Sequence, residues 1–563
     1  MSLLTTLARL EAIRSGHAEP LATVRHRYLS DRPMVLIPLA TAAEDGAPLA
    51  VLLGTDRAEP RLHFVPQPLN RDGRAEFLAA LADELLPYLE SFAEAVELIE
   101  GSEKDPATGE KTPVTRELCA DAPQLIVPNA GSVRHLALLG RATRFRRTAE
   151  EPDPGPYPAP ARVPLLGRWL THLTERAQVP GAGLLLPMTG LLARHWATGQ
   201  SLLEDQQLAA QLAWHSPPPG RTGAEQAELA ETARDERGQL LHPPAGPATD
   251  PRFDEKLLAP AIARYDAALA ALRQARSRQG STKAPQAVQA IGAAEATQPT
   301  DHGAPGQHLA GDGTPVREAE AALRHSIAEL RRLLLDVLLP TWQDVWHGLD
   351  LLRTLPPGGH VAERWEGDRW SYTGHRDRLA AGEPPQPRVD DAVTAARKLA
   401  QREREQVRVE VQEALDDPLA MAERRLAGEA FSAVVVEVVP EYDTSGRSPK
   451  PRPLLTLRTG DRPHADPGRE VHRASAPTAQ KAEVVAFDPA AGLVTLRVLT
   501  GMGRRKEPEP GSLPEPGQTV VFTLFELTPR QSAPLPEPAD TPWTHGGPPS
   551  AARNSTSGLE EWA

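Results

Sequence analysis

The chain has 563 residues and a formal net charge of −13, with a pI of about 5.8. This acidity excludes a globally basic nucleic-acid-binding protein, although it is compatible with a local basic patch. The single cysteine, Cys119, excludes a disulfide framework and a zinc site built from several cysteines. No apolar run approaches the roughly 18 residues of a membrane-spanning helix, and the charged N-terminal stretch is unlike a secretory leader. We therefore expect a cytoplasmic protein without a membrane partner.

At about 150 residues per domain, a chain of this length predicts several domains. Proline-rich, low-complexity and charged stretches set the boundaries between them. The predicted segments are an α/β domain (1–149), a Pro-rich linker (150–164), a helical region (165–278), a low-complexity linker (279–314), a helical stalk region (315–429), a β-barrel (430–528) and a disordered Pro-rich tail (529–563). The predicted fold class is multidomain α+β, with an N-terminal α/β domain, a central helical region containing a long stalk-like helix, and a small C-terminal antiparallel β-barrel.

The α/β domain combines strand-like and helix-like patterns. Three β-like runs come first, and a Glu-Asp-Gly turn separates the first two. Apolar residues then recur every three or four positions from Asp72 to Glu100, which predicts one long amphipathic helix. A short strand and a second helix complete the domain. The other predicted elements are the strands Met34–Ala40, Pro48–Gly54, Arg61–Val65 and Gln124–Val127 and the helix Ser132–Arg144.

Helical periodicity dominates the middle of the chain, and β-rich runs dominate residues 430–528. The predicted helices are Asp254–Arg278, Pro315–Leu339, Trp342–Leu355 and Asp390–Gly428. Interleaved arginines and glutamates on the last helix favour a solvent-facing stalk. Five β-rich runs with Pro, Gly and Asp turns between them then predict a small antiparallel barrel. These runs are Phe431–Val439, Leu454–Arg458, Ala482–Phe487, Leu493–Leu499 and Thr519–Leu527.

Recognisable catalytic motifs are missing from the sequence. It has no Gly-rich loop ending in Gly-Lys, so we do not expect the chain alone to hydrolyse ATP. The β-like runs carry no paired carboxylates for a two-metal nuclease. His360 and Glu363 follow Pro-Pro-Gly-Gly, which predicts a surface loop, and Cys119 is interpreted as a small packed residue. We therefore predict no catalytic, cofactor-binding or metal-binding residues.

Basic clusters are the positive signals in the sequence. One ends the α/β domain and the other lies in the turn between the last two barrel strands. Their members are Arg141, Arg144, Arg146 and Arg147 in the first, and Arg504, Arg505 and Lys506 in the second. Phosphates attract Lys and Arg irrespective of base sequence, although a solubilising loop is the simpler interpretation of the second cluster. Core packing is likewise favoured over base stacking for Phe487, Phe522 and Phe525.

The region from about Leu333 to Gly547 resembles the part that precedes the motor core in certain actinobacterial superfamily 1 DNA/RNA helicases. The stretches that carry the resemblance are WQDVWHGLDLLRTLP (342–356), DRWSYTGHRDRLAAGEPPQPRVDDAVTAARKLAQRERE (368–405), EALDDPLAMAERRLAGEAFSAVVVEV (413–438), GLVTLRVLTGMGR (492–504) and TPWTHGGPP (541–549). In such helicases a small β-barrel on a helical stalk projects from the first motor domain and touches the nucleic acid. The resemblance covers somewhat over a third of the chain and implies a stalk and barrel over residues 390–528.

A complete helicase of this kind continues after the barrel into a Gly-Lys-Ser/Thr phosphate loop, which this sequence lacks. The resemblance therefore implies either that a separately encoded ATPase or helicase is the partner of this chain, or that the chain is a fragment-like homologue without a motor. We favour the separate partner.

The N-terminal unit is similar to ribonuclease-H-like exonuclease domains. The similarity rests on a strand, Asn129 and a helix in LIVPNAGSVRHLALLGRA (125–142). Active members carry an acid in the first helical turn, where this chain has Val133 and Arg134. They also carry acids on the first strand, where Met34–Ala40 has none. The similarity implies a catalytically inactive domain whose pocket serves binding.

The leading hypothesis is a non-catalytic accessory subunit of a helicase-type complex that processes nucleic acid in repair or defence. It predicts that basic side chains of the barrel loop and the stalk contact DNA or RNA. These side chains are Arg402, Arg404, Arg408, Arg504, Arg505 and Lys506. A divergent metal-dependent nuclease is one alternative, with carboxylates such as Asp72, Glu76, Asp83 or Asp121. A purely structural protein–protein scaffold is the other.

Overall fold

The structure, a computed structural model, describes residues 3–41, 47–104, 111–200, 207–243, 247–278, 314–445, 449–476, 478–503 and 507–528. The predicted tail and nearly all of the predicted low-complexity linker lie outside these residues, and so do Arg504, Arg505 and Lys506. Among the described helices, none combines the length and the apolar character that crossing a membrane requires.

The first part of the chain forms a mixed set of helices and strands. In chain order they are α1 (Leu3–Ser15), β1 (Glu19–Pro20), β2 (Met34–Ala40), β3 (Pro48–Gly54), β4 (Arg61–Phe64), α2 (Arg71–Glu90), β5 (Val96–Lys104), β6 (Lys111–Cys119), β7 (Leu125–Val127), α3 (Ala130–Thr143), α4 (Val163–Arg176), β8 (Leu185–Pro187), α5 (Met188–His195), β9 (Trp196–Ala197), α6 (Leu208–Ala213), α7 (Gly223–Thr232), α8 (Pro251–Phe253) and α9 (Ala259–Arg278). A π-helical turn, Asp254–Leu258, joins α8 to α9.

The second part begins with long helices and ends in strands. Its elements are α10 (Thr314–Arg353), α11 (Val361–Ala380), α12 (Ala392–Asp416), α13 (Pro418–Leu426), β10 (Ala430–Val439), β11 (Tyr442–Asp443), β12 (Lys450–Pro451), β13 (Leu454–Thr459), β14 (Glu470–Arg473), β15 (Lys481–Asp488), β16 (Leu493–Val498) and β17 (Thr519–Thr523). The chain is thus a mixed α/β protein with a C-terminal barrel, as the composition and periodicity predict.

A five-stranded sheet lies at the centre of the N-terminal part, in the order β4-β3-β2-β7-β8. The first three strands are antiparallel neighbours, whereas β7 is parallel to both β2 and β8. Both β2 and β3 are buried along their whole length, as expected of strands that helices cover on both faces. Since β8 follows the predicted Pro-rich linker, the sheet is not confined to residues 1–149.

Alternate residues of β2 enter two different hydrophobic cores. Val35 and Ile37 join the core that contains residues of α5, α9 and α10, including the fully buried Trp342. Met34 and Leu36 join the core formed with α2, α3, α4 and α11. Successive strand residues point to opposite faces, so this single strand separates the two helical layers.

Helix α2 ends at Glu90, and the prediction of a helix continuing to Glu100 was wrong. Strand β5 begins at Val96 and pairs with β6 in a two-stranded antiparallel hairpin. The apolar residues Phe92, Val96 and Ile99 imitate helical spacing. Phe92 instead packs into the core beyond the helix, and the β-branched pair enters the strand.

Helix α10 runs for 40 residues, although two helices separated near Pro340 were predicted. A proline inside a helix removes one backbone hydrogen bond and crowds the preceding turn. Leu338 and Trp342, on either side of the proline, are almost completely buried. Their contacts with the core hold the helix continuous through the proline.

The helix predicted over Asp390–Gly428 is two helices, α12 and α13. The Asp417 carboxylate accepts a hydrogen bond from the Leu419 backbone N–H at 2.9 Å and so caps α13. Pro418 occupies the first position of α13, where its missing N–H costs nothing, and it disfavours helical geometry at the residue before it. The stalk therefore bends at this cap.

The C-terminal strands close into a barrel in the order β10-β13-β16-β15-β14-β17, with every neighbouring pair antiparallel. The five predicted runs all become strands of this barrel. The sixth strand, β14, was missed because its four residues, Glu470–Arg473, include three polar ones. Its partners β15 and β17 lie on either side, so β14 is the strand that closes the barrel.

Candidate nucleic-acid interface

The three stalk arginines lie on α12 but do not share one face of it. Arg402 and Arg404 are two residues apart, which places their side chains about 200° apart around the helix axis. Arg408 forms ion pairs with Glu405 at 2.6 Å and with Glu363 of α11 at 3.4 Å. The three therefore do not form a row along the stalk, and Arg408 attaches α12 to α11.

Only the first part of α12 fits the prediction of a solvent-facing stalk. Leu399 is 58% exposed, and Arg404 is exposed as well. From Val409 onward the helix is mostly embedded, since Val411 and Gln412 are also buried. The charged sequence pattern continues through this buried part, which is why periodicity alone did not separate the two halves.

A second basic cluster gains members from distant parts of the chain. The predicted Arg144 and Arg146 follow the last turn of α3, and their positive charges interact with those of arginines from two other segments. One segment is the start of α2 and the other precedes α12. We call this group the arginine patch, and it consists of Arg71, Arg74, Arg141, Arg144, Arg146 and Arg388.

Two exposed aromatic rings belong to the arginine patch. The guanidinium carbon of Arg71 lies 3.8 Å from the ring centre of Tyr157. The guanidinium carbons of Arg144 and Arg388 lie 4.8 and 5.4 Å from the ring centre of Phe145. All three distances are within the range of cation–π attraction. The patch thus pairs planar cations with aromatic rings.

Like charges crowd the centre of the patch. Burial lowers the pKa of the half-buried Arg146 guanidinium, and the positive charges of Arg71 and Arg74 lower it further. Burial likewise lowers the pKa of Arg144, where the negative charge of Glu175 opposes this effect and the positive charges of Arg388 and Arg141 add to it. Neighbouring like charges and desolvation both disfavour the charged form of a group. An anion placed among these side chains would offset the repulsion between their charges.

The backbone around the patch is fixed by local hydrogen bonds. Asn70 caps the start of α2, and Arg144 is the cap residue at the end of α3. The Ala159 N–H donates to the Arg147 carbonyl at 2.7 Å, which turns the Pro-rich segment carrying Tyr157 back toward the patch. These hydrogen bonds fix the backbone at the start of α2 and at the end of α3, the two helix ends that carry arginines of the patch.

Arg144 connects the patch to the segment that precedes α12. Its guanidinium donates hydrogen bonds to the carbonyl oxygens of Gln386 at 2.9 Å and Pro387 at 3.1 Å. The side chain is only 3% exposed, so its role is to position this segment and with it Arg388. Arg147, which the sequence places in the same cluster, is instead ion-paired with Asp153.

The aromatic residues proposed for the barrel lie in or against its core. Phe522 is fully buried and stacks on Phe431, with ring centres 5.8 Å apart. Phe487 is partly buried and packs against the same core. Phe525 is half-buried, and the guanidinium carbon of Arg424 lies 5.7 Å from its ring centre. The core-packing interpretation is confirmed for Phe522 and Phe487.

The carboxylates suggested for a divergent nuclease lie in different surroundings. Asp121 accepts a hydrogen bond from a tryptophan indole of α11 at 2.8 Å, and Asp83 is ion-paired with Arg162 at 3.5 Å. Asp72 and Glu76 are exposed near the start of α2. Within the described ranges, no group of three or more His, Cys, Asp or Glu side chains could hold a metal ion.

The remaining predicted residues have packing or capping roles. Cys119 is fully buried, and an Nη atom of Arg376 lies 3.3 Å from its sulfur. His360 precedes α11 as its cap residue, with its Nδ1 atom 2.5 Å from a carboxylate oxygen of Asp416. Glu363 lies in the first turn of α11, so the loop prediction is correct for His360 and wrong for Glu363.

A buried ionic joint anchors the end of α12 to the N-terminal segment and to α5. The Glu413 carboxylate pairs with Arg194 at 2.6 Å and with Arg27 at 3.2 Å. One helical turn further on, the Asp417 carboxylate lies 3.3 Å from His26 Nε2. We define the buried ionic joint as these five side chains.

The pKa values within the joint follow from burial and pairing. Burial lowers the pKa of Arg27 to about 10. Burial on its own raises the pKa of the Glu413 carboxyl, but Arg194 and Arg27 outweigh that effect and hold the pKa below its ordinary value. Glu413 therefore carries a charge that compensates two arginines in a largely desolvated place.

Sequence reasoning found half of the arginine patch and missed the rest. Arg141, Arg144 and Arg146 stand close together in the sequence and are visible as a cluster. Arg74 and Arg388 come from segments separated from α3 by many residues, and only the folded chain brings them near. No local spacing in the sequence could have shown that these arginines come together.

Comparison with known proteins gives no relative for this chain. No protein-family model matches it, and no curated protein or solved structure matches it either.

Proposed function

We propose that the chain is a non-catalytic, nucleic-acid-binding accessory subunit of a helicase-type machine for repair or defence. In this proposal a separate polypeptide supplies the ATPase motor, and the chain contributes a binding surface and a barrel carried on a helical stalk. The arginine patch is the observation that carries the proposal. DNA and RNA are both compatible with its chemistry, because the phosphate groups are common to them.

The electrostatics of the patch support binding to a phosphate backbone. Arg71, Arg141 and Arg388 are exposed, so their guanidinium groups are accessible to a polyanion. Arg74 and Arg146 are half-buried beside them and carry unfavourable like-charge interactions. A strand of phosphates would neutralise these charges and release counterions, which favours binding at low and moderate salt. A patch of this kind is compatible with the acidic net charge of the whole chain.

The stalk and barrel support the accessory role. The Arg425 side chain of α13 donates two hydrogen bonds to the Asp461 carboxylate, at 2.7 and 3.0 Å. Asp461 also accepts from the backbone N–H of Ser432 at 2.8 Å, at the start of the barrel. A bidentate pair of this kind fixes orientation as well as distance. The barrel is therefore held on α13 in a fixed orientation.

Charge reversal in the patch tests the proposal. The variant combines Arg71→Glu, Arg141→Glu and Arg388→Glu, all at exposed positions that leave the buried Arg144 in place. Fluorescence anisotropy with a labelled oligonucleotide of about 20 residues is recorded from low to moderate salt. We expect affinity to fall at least about tenfold, because three attractive phosphate contacts become repulsive. The slope of log affinity against log salt is expected to flatten by about 2, at about 0.7 per phosphate contact of a single strand.

The matched control reverses three exposed arginines outside the patch, Arg221→Glu, Arg237→Glu and Arg273→Glu. It changes the net charge by the same amount, so it separates a local contact from general repulsion. We expect this control to retain most of the affinity and nearly the full salt slope. Equal losses in both variants, or no binding by the unmodified protein at low salt, would refute the proposal.

A further inference from the structure

The exposed aromatic rings of the chain are concentrated in the arginine patch. Among the described residues, the aromatic side chains with large exposure are Phe145, Tyr157 and Tyr442. Two of these belong to the patch, at 38% and 60% exposure. Most other described aromatic side chains are buried or half-buried, as expected in a chain with only 4% aromatic residues.

The geometry of Tyr157 suits a flat ligand. The Arg71 guanidinium lies 3.8 Å from its ring centre, so one side of the ring faces a planar cation. With 60% of the residue exposed, much of the ring remains accessible from solvent. Bases stack on tyrosine rings and on guanidinium planes, and this stacking tolerates every base. Arg71 and Tyr157 thus form a ready platform for one base.

Phe145 provides a second exposed aromatic ring in the arginine patch. The guanidinium carbons of Arg144 and Arg388 lie 4.8 and 5.4 Å from its ring centre. Arg144 is anchored by backbone carbonyls, so the ring and its cations are held in place before any ligand arrives. Phe145 is adjacent in sequence to Arg146, whose charge interacts with that of Arg71. The two rings are therefore linked by a continuous group of positive charges.

We infer, on the basis of the proposed function, that the arginine patch selects single-stranded nucleic acid over duplex. In a duplex the bases are stacked on one another and their faces are not accessible to Tyr157 or Phe145. A duplex can contact only the arginines, whereas a single strand contacts the arginines with its phosphates and the rings with its bases. The preference arises from the aromatic rings and the overall attraction from the arginines.

The inference is tested by fluorescence anisotropy titrations at about 150 mM salt. The ligands are fluorescein-labelled oligothymidylate, oligouridylate and a mixed-sequence duplex of equal length. We expect both single strands to bind at least about tenfold more tightly than the duplex. Tyr157→Ala is expected to weaken single-strand binding about fivefold or more, since stacking on one ring commonly contributes that much. Tyr157→Phe keeps the ring and is the matched control, with affinity close to that of the unmodified protein. Duplex affinity should be the same in all three proteins.

The outcomes separate this inference from the proposed function. If single strand and duplex bind equally, and Tyr157→Ala changes neither, the inference is overturned while the arginine reversal still tests nucleic-acid binding. If no oligonucleotide binds even at low salt, the proposed function itself fails. Tyr157 is an exposed residue in a loop, so we expect both substitutions to leave the fold intact. Thermal melting curves that match that of the unmodified protein check this.

Discussion

Asp344 is an acid whose surroundings disfavour its charge. It lies on α10 between the buried Trp342 and Trp346 in sequence and is itself half-buried. Burial raises the pKa of its carboxyl to about 7 from an ordinary value of 3.8. The protonated form is therefore favoured in the folded protein more than in the unfolded chain. Its contribution to stability is fully present below about pH 3.8 and is lost as pH rises to about 7.

We predict that Asp344→Asn stabilises the protein at neutral and alkaline pH. The amide has nearly the same shape and cannot ionise, so the cost of the buried carboxylate disappears. After a discount for partial exposure we expect roughly 1–2 kcal/mol, equivalent to an increase in Tm of about 1–2 °C for a chain of this length. Differential scanning calorimetry from pH 5 to pH 8 measures the effect. The gain should grow with pH and level off above about 7.

Asp350→Asn is the matched control on the same helix. Asp350 is 55% exposed in its side chain and pairs with Arg57 at 3.0 Å, so its charge is solvated and compensated. We expect no gain in Tm and no dependence of the difference on pH. A gain of equal size for both variants would show that general removal of negative charge, rather than burial at Asp344, stabilises this acidic protein.

The residues with packing or capping roles were predictable where a local pattern defines them. Cys119 was expected to be a packed residue, and it is completely buried. Asn129 was noted beside a strand and a helix, and its side chain caps α3 through the Ser132 N–H at 3.0 Å. Arg388 and Tyr157 were not singled out because nothing near them in sequence marks them. Their place in the arginine patch depends on contacts with residues from other segments, namely Arg71 for Tyr157 and Phe145 for Arg388.

The end of α12 is the element that joins the stalk to the rest of the molecule. Two arginines, Arg27 and Arg194, meet the single carboxylate of Glu413, whose side chain is 13% exposed. Removing one partner from a buried ion pair leaves an uncompensated charge in the low-dielectric protein interior. The stability of the joint therefore depends on Glu413 more than on any exposed pair along the stalk.

We predict that Glu413→Ala destabilises the protein by about 3 kcal/mol, mainly because the buried Arg27 loses its counter-charge, whereas Arg194 is 40% exposed in its side chain. Urea unfolding followed by circular dichroism measures the change. Glu410→Ala is the control, since Glu410 lies one turn earlier and pairs with Arg424 while 42% exposed in its side chain. An exposed pair contributes about 0–1 kcal/mol. If the two variants lost equal stability, the buried joint would not be the anchor of the stalk.

Helices and strands were predictable where the local sequence pattern is compatible with only one type of secondary structure. The strands β2, β3 and β7 and the barrel strands β10 and β17 are apolar or β-branched runs between turns, and all were expected. The end of α2 was missed because a buried residue beyond the helix continues its spacing. The continuity of α10 was missed because packing on both sides of Pro340 compensates a local breaker. In both cases, packing against other segments overrides the secondary structure that the local sequence pattern predicts.

At the scale of the whole molecule, distant segments share the same two cores. Residues of β2 pack with residues of α10 on one face of the sheet and with Trp365 and Tyr372 of α11 on the other. More than 300 residues of sequence separate β2 from α11, so no linear division of the chain describes these cores. The barrel, by contrast, has a core made only from its own segment, residues 431–522. This independence is why the barrel was the most predictable part of the fold.

Four buried histidines and the half-buried His215 make the N-terminal and central parts of the chain sensitive to acid. Burial is the main cause in each case, and it lowers the pKa of His135, His195 and His215 to about 4 and that of His375 to about 3. Burial also lowers the pKa of His172, whose ring stacks on that of His375 with centres 4.1 Å apart. All five belong to the N-terminal and central parts of the chain, outside the barrel.

These histidines stay neutral in the folded protein while the unfolded chain binds protons near pH 6.5. Their contribution to stability is therefore fully present above about pH 6.5 and declines as pH falls toward their folded pKa values. A buried histidine whose folded pKa is about 4 loses about 2 kcal/mol of its contribution by pH 5. Several such losses are large beside the 5–15 kcal/mol that stabilises a typical fold. We predict a steep fall in Tm between pH 6.5 and pH 4.5, a window above that of the carboxylates.

Calorimetric melting across this range, with proton uptake measured from the slope, checks the prediction. His375→Phe preserves an aromatic ring against His172 and should reduce proton uptake on unfolding by about one, with a shallower fall in Tm. His17→Ala, at an exposed position, is the control and should follow the unmodified protein. A Tm that stays level from pH 7 to pH 4.5 would mean that these side chains reach water or partners in the folded state. In that case the layers around the central sheet would be more open than the packing of α3, α4 and α11 indicates.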